Sequence, residues 1–110
     1  MKVIRNKYLP PKGYKAITLW PFIFVRKPYV LGLIDRNHEE IHGYQEKEML
    51  IIPFFIWYVV EFIIKYIYYR FNWHKAYRSI SFEREAYSNQ ETMTYLNVRK
   101  SFAWINYIKL

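Results

Sequence analysis

The sequence predicts one small α+β domain over residues 1–110, in which an edge β-strand or hairpin precedes three helices. The first helix carries two histidines, the second is long and aromatic, and the third bears glutamates. Three observations predict this. A β-branched and aromatic run lies near the start, capping residues and a proline divide most of the remainder into helical segments, and 110 residues leave little room beyond one domain.

The strand is expected over Ala16 to Val25, Ala-Ile-Thr-Leu-Trp-Pro-Phe-Ile-Phe-Val, after the loop-like Tyr8 to Gly13. Pro21 cannot donate to a ladder, so it places the segment at a sheet edge. A short extended piece, Tyr29 to Leu33, follows. Asp35 or Asn37 can then cap a helix running to about Leu50, with Glu40 three residues after Asn37 in capping-box position. Gly43 inside that helix costs about 1 kcal/mol relative to Ala and marks a place where another backbone comes close. Pro53 sits in the first turn of the aromatic helix, Phe54 to Phe71. Asn72 to Ile80 reads as a connector. Ser81 caps a third helix to about Gln90, extending as far as Arg99 in the longer alternative, and residues 101–110 carry no clear signal.

Composition narrows the class. Hydrophobic residues make up 53% and aromatics 22% of the chain, which is too apolar for a disordered protein. There is no cysteine, so disulfides, thiol nucleophiles and cysteine-held metal are excluded, and any metal must be held by His and carboxylate. The net charge of +8 would suit nucleic acid or anionic lipid, but the positive residues form no run and no nucleic-acid motif, so no nucleic-acid partner is expected. The start, Met-Lys-Val-Ile-Arg-Asn-Lys followed by Pro10-Pro11, lacks the apolar core of a signal peptide, and the expected location is intracellular, with membrane association as an alternative.

The chemistry concentrates in His38-Glu39-Glu40-Ile41-His42. Histidines four apart lie on one face of a helix, where both imidazoles can reach one ion at about 2.0–2.1 Å. Glu39 follows the first of them, where a carboxylate can take a proton from metal-activated water and pass it to a leaving amine. Glu40 points elsewhere, as a capping or surface residue. A third ligand is sought in Ser81-Phe-Glu-Arg-Glu-Ala-Tyr-Ser-Asn-Gln90. Glu83 and Glu85 are about 200° apart on a helix, so only one can face the metal. Glu85 is the expected ligand, because Ala86 beside it permits close helix approach and Asn89 shares its face and could hydrogen-bond a ligand's outer nitrogen. Glu83 is expected to supply first-turn negative charge.

His38-Glu39-x-x-His42 with a later Glu85-Ala86-x-x-Asn89 resembles the gluzincin zinc metallopeptidases, and the chain's size resembles their single-domain forms, the minigluzincins. The resemblance covers about residues 16–90. It implies a small zincin-like domain, Zn2+ held by His38, His42 and Glu85, Glu39 as catalytic base, and a peptide or protein substrate. Where thermolysin-like members often carry Asp, Asn89 stands here, without the charge that raises histidine basicity. The transition-state-stabilising group stays open among Tyr77, Tyr87, Arg84 and His74, with His74 better read as a connector residue.

Beyond the motif, Met49 to Val60 is an apolar run too short to span a bilayer, and extending it to Phe71 brings Glu61 and Lys65 near its middle. The helix is therefore expected in the core, with peripheral membrane or subunit contact as the alternative; Glu61, Lys65 and nearby Trp and Tyr form its one polar stripe. The edge strand could receive an extended peptide by main-chain hydrogen bonds. The resemblance also implies a latent or degenerate form as an alternative, since minimal gluzincins can be held latent by their own terminal segment; Arg99 to Tyr107 is the candidate plug, and deleting the residues after Arg99 would then raise hydrolysis. The competing functional class is a non-enzymatic interaction or membrane-surface protein with zinc as a structural element.

Overall fold

In the computed structural model, which describes residues 1–109, the chain forms a three-stranded sheet followed by helices. Leu110, the last residue of the unassigned 101–110 segment, lies outside the described residues. The elements are β1 (Lys2–Asn6), β2 (Ala16–Leu19), β3 (Phe22–Arg26), α1 (Leu33–Glu48), α2 (Ile52–Tyr68), α3 (Trp73–Ser79), α4 (Ser81–Asn89) and α5 (Tyr95–Val98), and a 3₁₀ turn covers Ala103–Tyr107. Among the described residues, five helices and three strands make a small compact α+β domain, as the composition predicts.

Of the two alternatives, an edge strand or a hairpin, the chain forms the hairpin. Trp20-Pro21, joined by a cis peptide, makes a two-residue turn between Leu19 and Phe22, so proline sits in the turn rather than within an edge strand. The sheet order is β1-β3-β2, with β1 parallel and β2 antiparallel to β3. Central β3 alternates, burying Ile23 and Val25 against the helices. β2 is left as the edge nearest α1. Ile17 and Leu19 face Phe24 and Phe22 as bonded pairs in the ladder continued by Arg26 N–H donating to Lys15 C=O, so the main-chain groups of Ala16 and Thr18 point away from the sheet.

α1 begins earlier than its capping residues suggest, after Gly32, and Asn37 is a buried interior residue. Its side-chain amide donates to the carbonyls around the end of α4, including Gln90 at 2.8 Å and Thr92 at 3.1 Å, so the expected capping box with Glu40 does not form. Glu40 pairs instead with Arg36 on the helix surface. At Gly43 an added Cβ would lie 2.5 Å from the Met1 side chain, so the close approach read from this glycine is made by a side chain, not a backbone. The connector expected at 72–80 contains α3, whose Asn72 cap accepts from the Lys75 N–H.

Phe54, Ile80, Phe82 and Trp104 form the main apolar cluster, which brings α2, α4 and the 3₁₀ turn together. Two expectations are corrected by it. First, the C-terminal segment is no plug: Trp104 packs 4.7 Å from Phe82 and 5.1 Å from Trp57 between ring centres, and no residue of 99–107 lines the cleft described below. Second, α2 is not a central core helix. Its polar stripe points inward: the Glu61 carboxylate accepts from the Ser81 N–H and hydroxyl and from Trp57 Nε1, and Lys65 donates to Glu61 and to the Ser79 carbonyl. The free start of α4 needs these acceptors, which draws the charged side of α2 inside and turns its aliphatic side out. Among the described residues no single helix is long and apolar enough to cross a membrane.

Candidate metal centre

α1 presents His38 and His42 one turn apart, and α4 crosses it closely because Ala86 is fully buried and small. This crossing brings Glu83, not Glu85, to the histidines. Glu83 Oε1 lies 3.1 Å from His42 Nε2 and 3.3 Å from His38 Nε2, and the two Nε2 atoms are 3.1 Å apart. Ligand atoms about 2.0–2.1 Å from a tetrahedral ion would lie about 3.3–3.4 Å from one another. The three atoms therefore form one face of such a tetrahedron with only small adjustment, and the group could hold a metal ion.

The expectation for Glu85 is corrected by its own partners. Its carboxylate is fully buried and accepts from Arg99 Nε and Nη2, from the Tyr95 hydroxyl at 2.7 Å and from Gln45 Nε2 at 3.0 Å. Arg99 also grips Glu48 at the end of α1 through both Nη atoms. Glu85 thus neutralises a buried guanidinium, and its face of α4 is turned toward the C-terminal segment. Asn89 follows that face, donating to the Glu85 carbonyl and to the Tyr107 hydroxyl rather than to an imidazole.

The imidazoles are oriented by two residues that sequence reasoning missed. His38 Nδ1 lies 2.8 Å from Gln90 Oε1, and His42 Nδ1 lies 2.8 Å from Gln45 Oε1. Gln45 donates its amide hydrogens to Glu85 and to the Phe82 carbonyl, so its oxygen faces His42 and the Nδ1 there carries the proton. Donation from Nδ1 leaves Nε2 with its lone pair turned to the shared point, as a ligand requires. A signal for Gln45 existed in its spacing, three residues after His42 on the same face. Gln90, beyond the end of α4, had none. The other Glu83 oxygen accepts from the Tyr58 hydroxyl of α2 at 2.7 Å.

Charge is distributed accordingly. Burial would lower the His42 pKa, but the Glu83 carboxylate beside it prevails and pushes it up to about 10. Burial likewise works against the Glu83 anion, and the imidazoles hold it well below the usual carboxylate range. Glu39 moves the other way: burial raises its pKa, opposed by both imidazoles and by Thr18. The Thr18 hydroxyl, 2.8 Å from Glu39 Oε1, fixes that carboxylate from β2.

The group opens on a cleft with two limbs. One is a largely apolar cavity of about 410 Å³, walled by the loop before β2 (Pro10, Tyr14) and by Phe54, Phe55 and Phe62. The other, about 320 Å³, is lined by polar groups including Lys15, Asp35, His74 and Gln90. His38, Glu39, Ala16, Tyr77, Tyr14 and Trp73 belong to both limbs, so they mark the junction. Of the four residues left open as transition-state stabilisers, Tyr77 alone lines both; Tyr87 and His74 line the polar limb only, and Arg84 lines neither. No family model, curated protein or solved structure matches this chain.

Proposed function

We propose that the protein is a small zinc-dependent peptidase of gluzincin type with a zincin-like domain, holding Zn2+ with His38, His42 and Glu83. The observation that carries this reading is the near-tetrahedral face formed by two imidazole nitrogens and one carboxylate oxygen at the junction of a two-limbed cleft, with Glu39 beside it. Three protein ligands beside an open cleft suit a catalytic ion, whereas structural zinc is ordinarily enclosed by four. Zinc there would polarise a peptide carbonyl and acidify the attacking water.

The chain's own residues supply the rest. Glu39, held by Thr18, takes the proton of the attacking water and returns it to the leaving amine; its raised pKa suits both halves of that exchange. The Tyr77 hydroxyl, kept protonated by burial and by the negative charge of Glu83, donates to the carbonyl oxygen as it gains charge. The outward main-chain groups of Ala16 and Thr18 receive the substrate as an added antiparallel strand across the junction. Gln45 and Gln90 hold the imidazoles in one tautomer throughout.

The test is substitution of the base. Glu39→Gln should lower hydrolysis of an unstructured protein or peptide library by roughly 10²–10⁴-fold while leaving one zinc per chain by elemental analysis. Zinc retention together with no hydrolysis in the wild type would reject the enzyme and leave the metal as a structural element.

A further inference from the structure

The outer face of α2 has no partner within the domain. Ile52, Ile56, Val60, Ile63, Ile64 and Ile67 are each at least 50% exposed, at the i, i+3/i+4, i+7 spacing of one helix face. No charged residue interrupts it, because Glu61 and Lys65 are committed inward. A contiguous apolar surface of this kind is rare on a monomer and marks an interaction site. Exposed aromatics flank it: Trp57 on its side, and Tyr68 and Phe71 beyond its C-terminal end.

Charge identifies the occupant. Twelve of the 17 Lys and Arg are exposed, while among the nine acidic residues Glu91 alone is exposed, and the partly exposed Asp35 is paired with Lys15 at 3.0 Å. The net charge of +8 is therefore carried on the surface, with four of the nine carboxylates buried and four more only partly exposed. A second copy would bring the same positive charge, and the face offers no ionic group to set the register of a paired helix. An anionic bilayer answers both features, accepting the aliphatic side chains below its headgroups and attracting the exposed Lys and Arg of the domain.

We propose that the outer face of α2 docks the protein onto an anionic lipid membrane. The helix lies along the surface. Its 17 residues extend about 25 Å, short of the roughly 30 Å hydrocarbon core, and the inward charges bind it to the rest of the domain. Trp and Tyr at its margin sit at headgroup depth, where one side of each ring is apolar and the other wet. This inference stands apart from the peptidase reading, since none of these aliphatic residues belongs to the metal group.

The experiment is flotation of the full chain with vesicles of equimolar phosphatidylglycerol and phosphatidylcholine, compared with phosphatidylcholine alone. Binding should be confined largely to the anionic vesicles. Val60→Gln with Ile63→Gln preserves net charge and alters only exposed positions, and should weaken binding at least tenfold with an unchanged melting temperature. Val30→Gln, at an exposed apolar residue outside this face, should bind as wild type. Absence of wild-type binding would overturn the proposal, as would equal binding by the double variant, which would mean adsorption by charge alone. A wild-type dimer in light scattering that the double variant abolishes would assign the face to a second copy instead.

Discussion

At the scale of single residues, the two glutamates of α4 divide two tasks that look alike in composition. Glu83 meets the histidines, with Tyr58 holding its second oxygen, whereas Glu85 meets Arg99, Tyr95 and Gln45. Their alanine variants should fail differently. Glu83→Ala should weaken zinc binding beyond the roughly 10–100-fold that loss of a supporting group costs, read by competition with a chromogenic chelator. Glu85→Ala leaves a buried guanidinium short of its charge partner, which should cost about 3–5 kcal/mol in denaturant unfolding while the folded fraction still binds one zinc. Reversed outcomes would restore Glu85 as the ligand. His38, Glu39 and His42 were legible in the sequence because their relation is local, fixed by one helical turn. Choosing between Glu83 and Glu85 required knowing which face of α4 meets α1. That face is set by Arg99, 14 residues beyond Glu85, whose need for a buried anion leaves no local trace.

At the scale of elements, the C-terminal segment acts as a clasp. Arg99 joins Glu48 of α1 to Glu85 of α4, the Phe102 N–H donates to Glu48, and Trp104 completes the apolar cluster. Removing residues after Arg99 should therefore destabilise the fold rather than free the cleft. Trp104→Ala alone should cost about 3–5 kcal/mol, measured by urea unfolding. Faster hydrolysis by the truncated chain at unchanged stability would bring back the plug. The same scale explains what the pattern of α2 concealed. Its apolar run announced burial, but hydropathy does not say which side of a helix is buried. The decision fell to Ser79 and Ser81, whose main-chain groups at the α3–α4 junction draw Lys65 and Glu61 inward. The hairpin, by contrast, was half visible: the β-branched residues marked the strands, and only the meaning of Pro21 was misread.

For the molecule as a whole, the proposed metal would compete with a proton for the point where α1, α4 and α2 converge. His42 has a pKa raised to about 10 when metal is absent, against 6.5 ordinarily, so its contribution to stability is fully present below about 6.5 and is lost as pH rises toward 10. The buried Glu46, pushed up to about 7 by burial against an ordinary 4.5, adds a loss in the same direction at lower pH, between 4.5 and 7. Chelator-treated protein should therefore lose roughly 2–5 kcal/mol between pH 6.5 and 10. On the proposed function zinc would replace this proton and so bind more tightly as pH rises over that range. The gap in melting temperature between zinc-loaded and metal-free protein should thus widen with pH in calorimetry; a constant gap would show that no proton is displaced.

Gln45 gives this convergence a chemical grammar. One amide accepts from His42 and donates to both the Phe82 carbonyl and Glu85, so the position demands a group that is acceptor on one side and donor on the other. Glutamate would set oxygen against oxygen toward Glu85 and Phe82, and methionine or leucine would withdraw one hydrogen bond from each of the three partners. The side chain is in effect a polarity adaptor, through which the clasp at Arg99 and the imidazole at His42 are parts of one sentence.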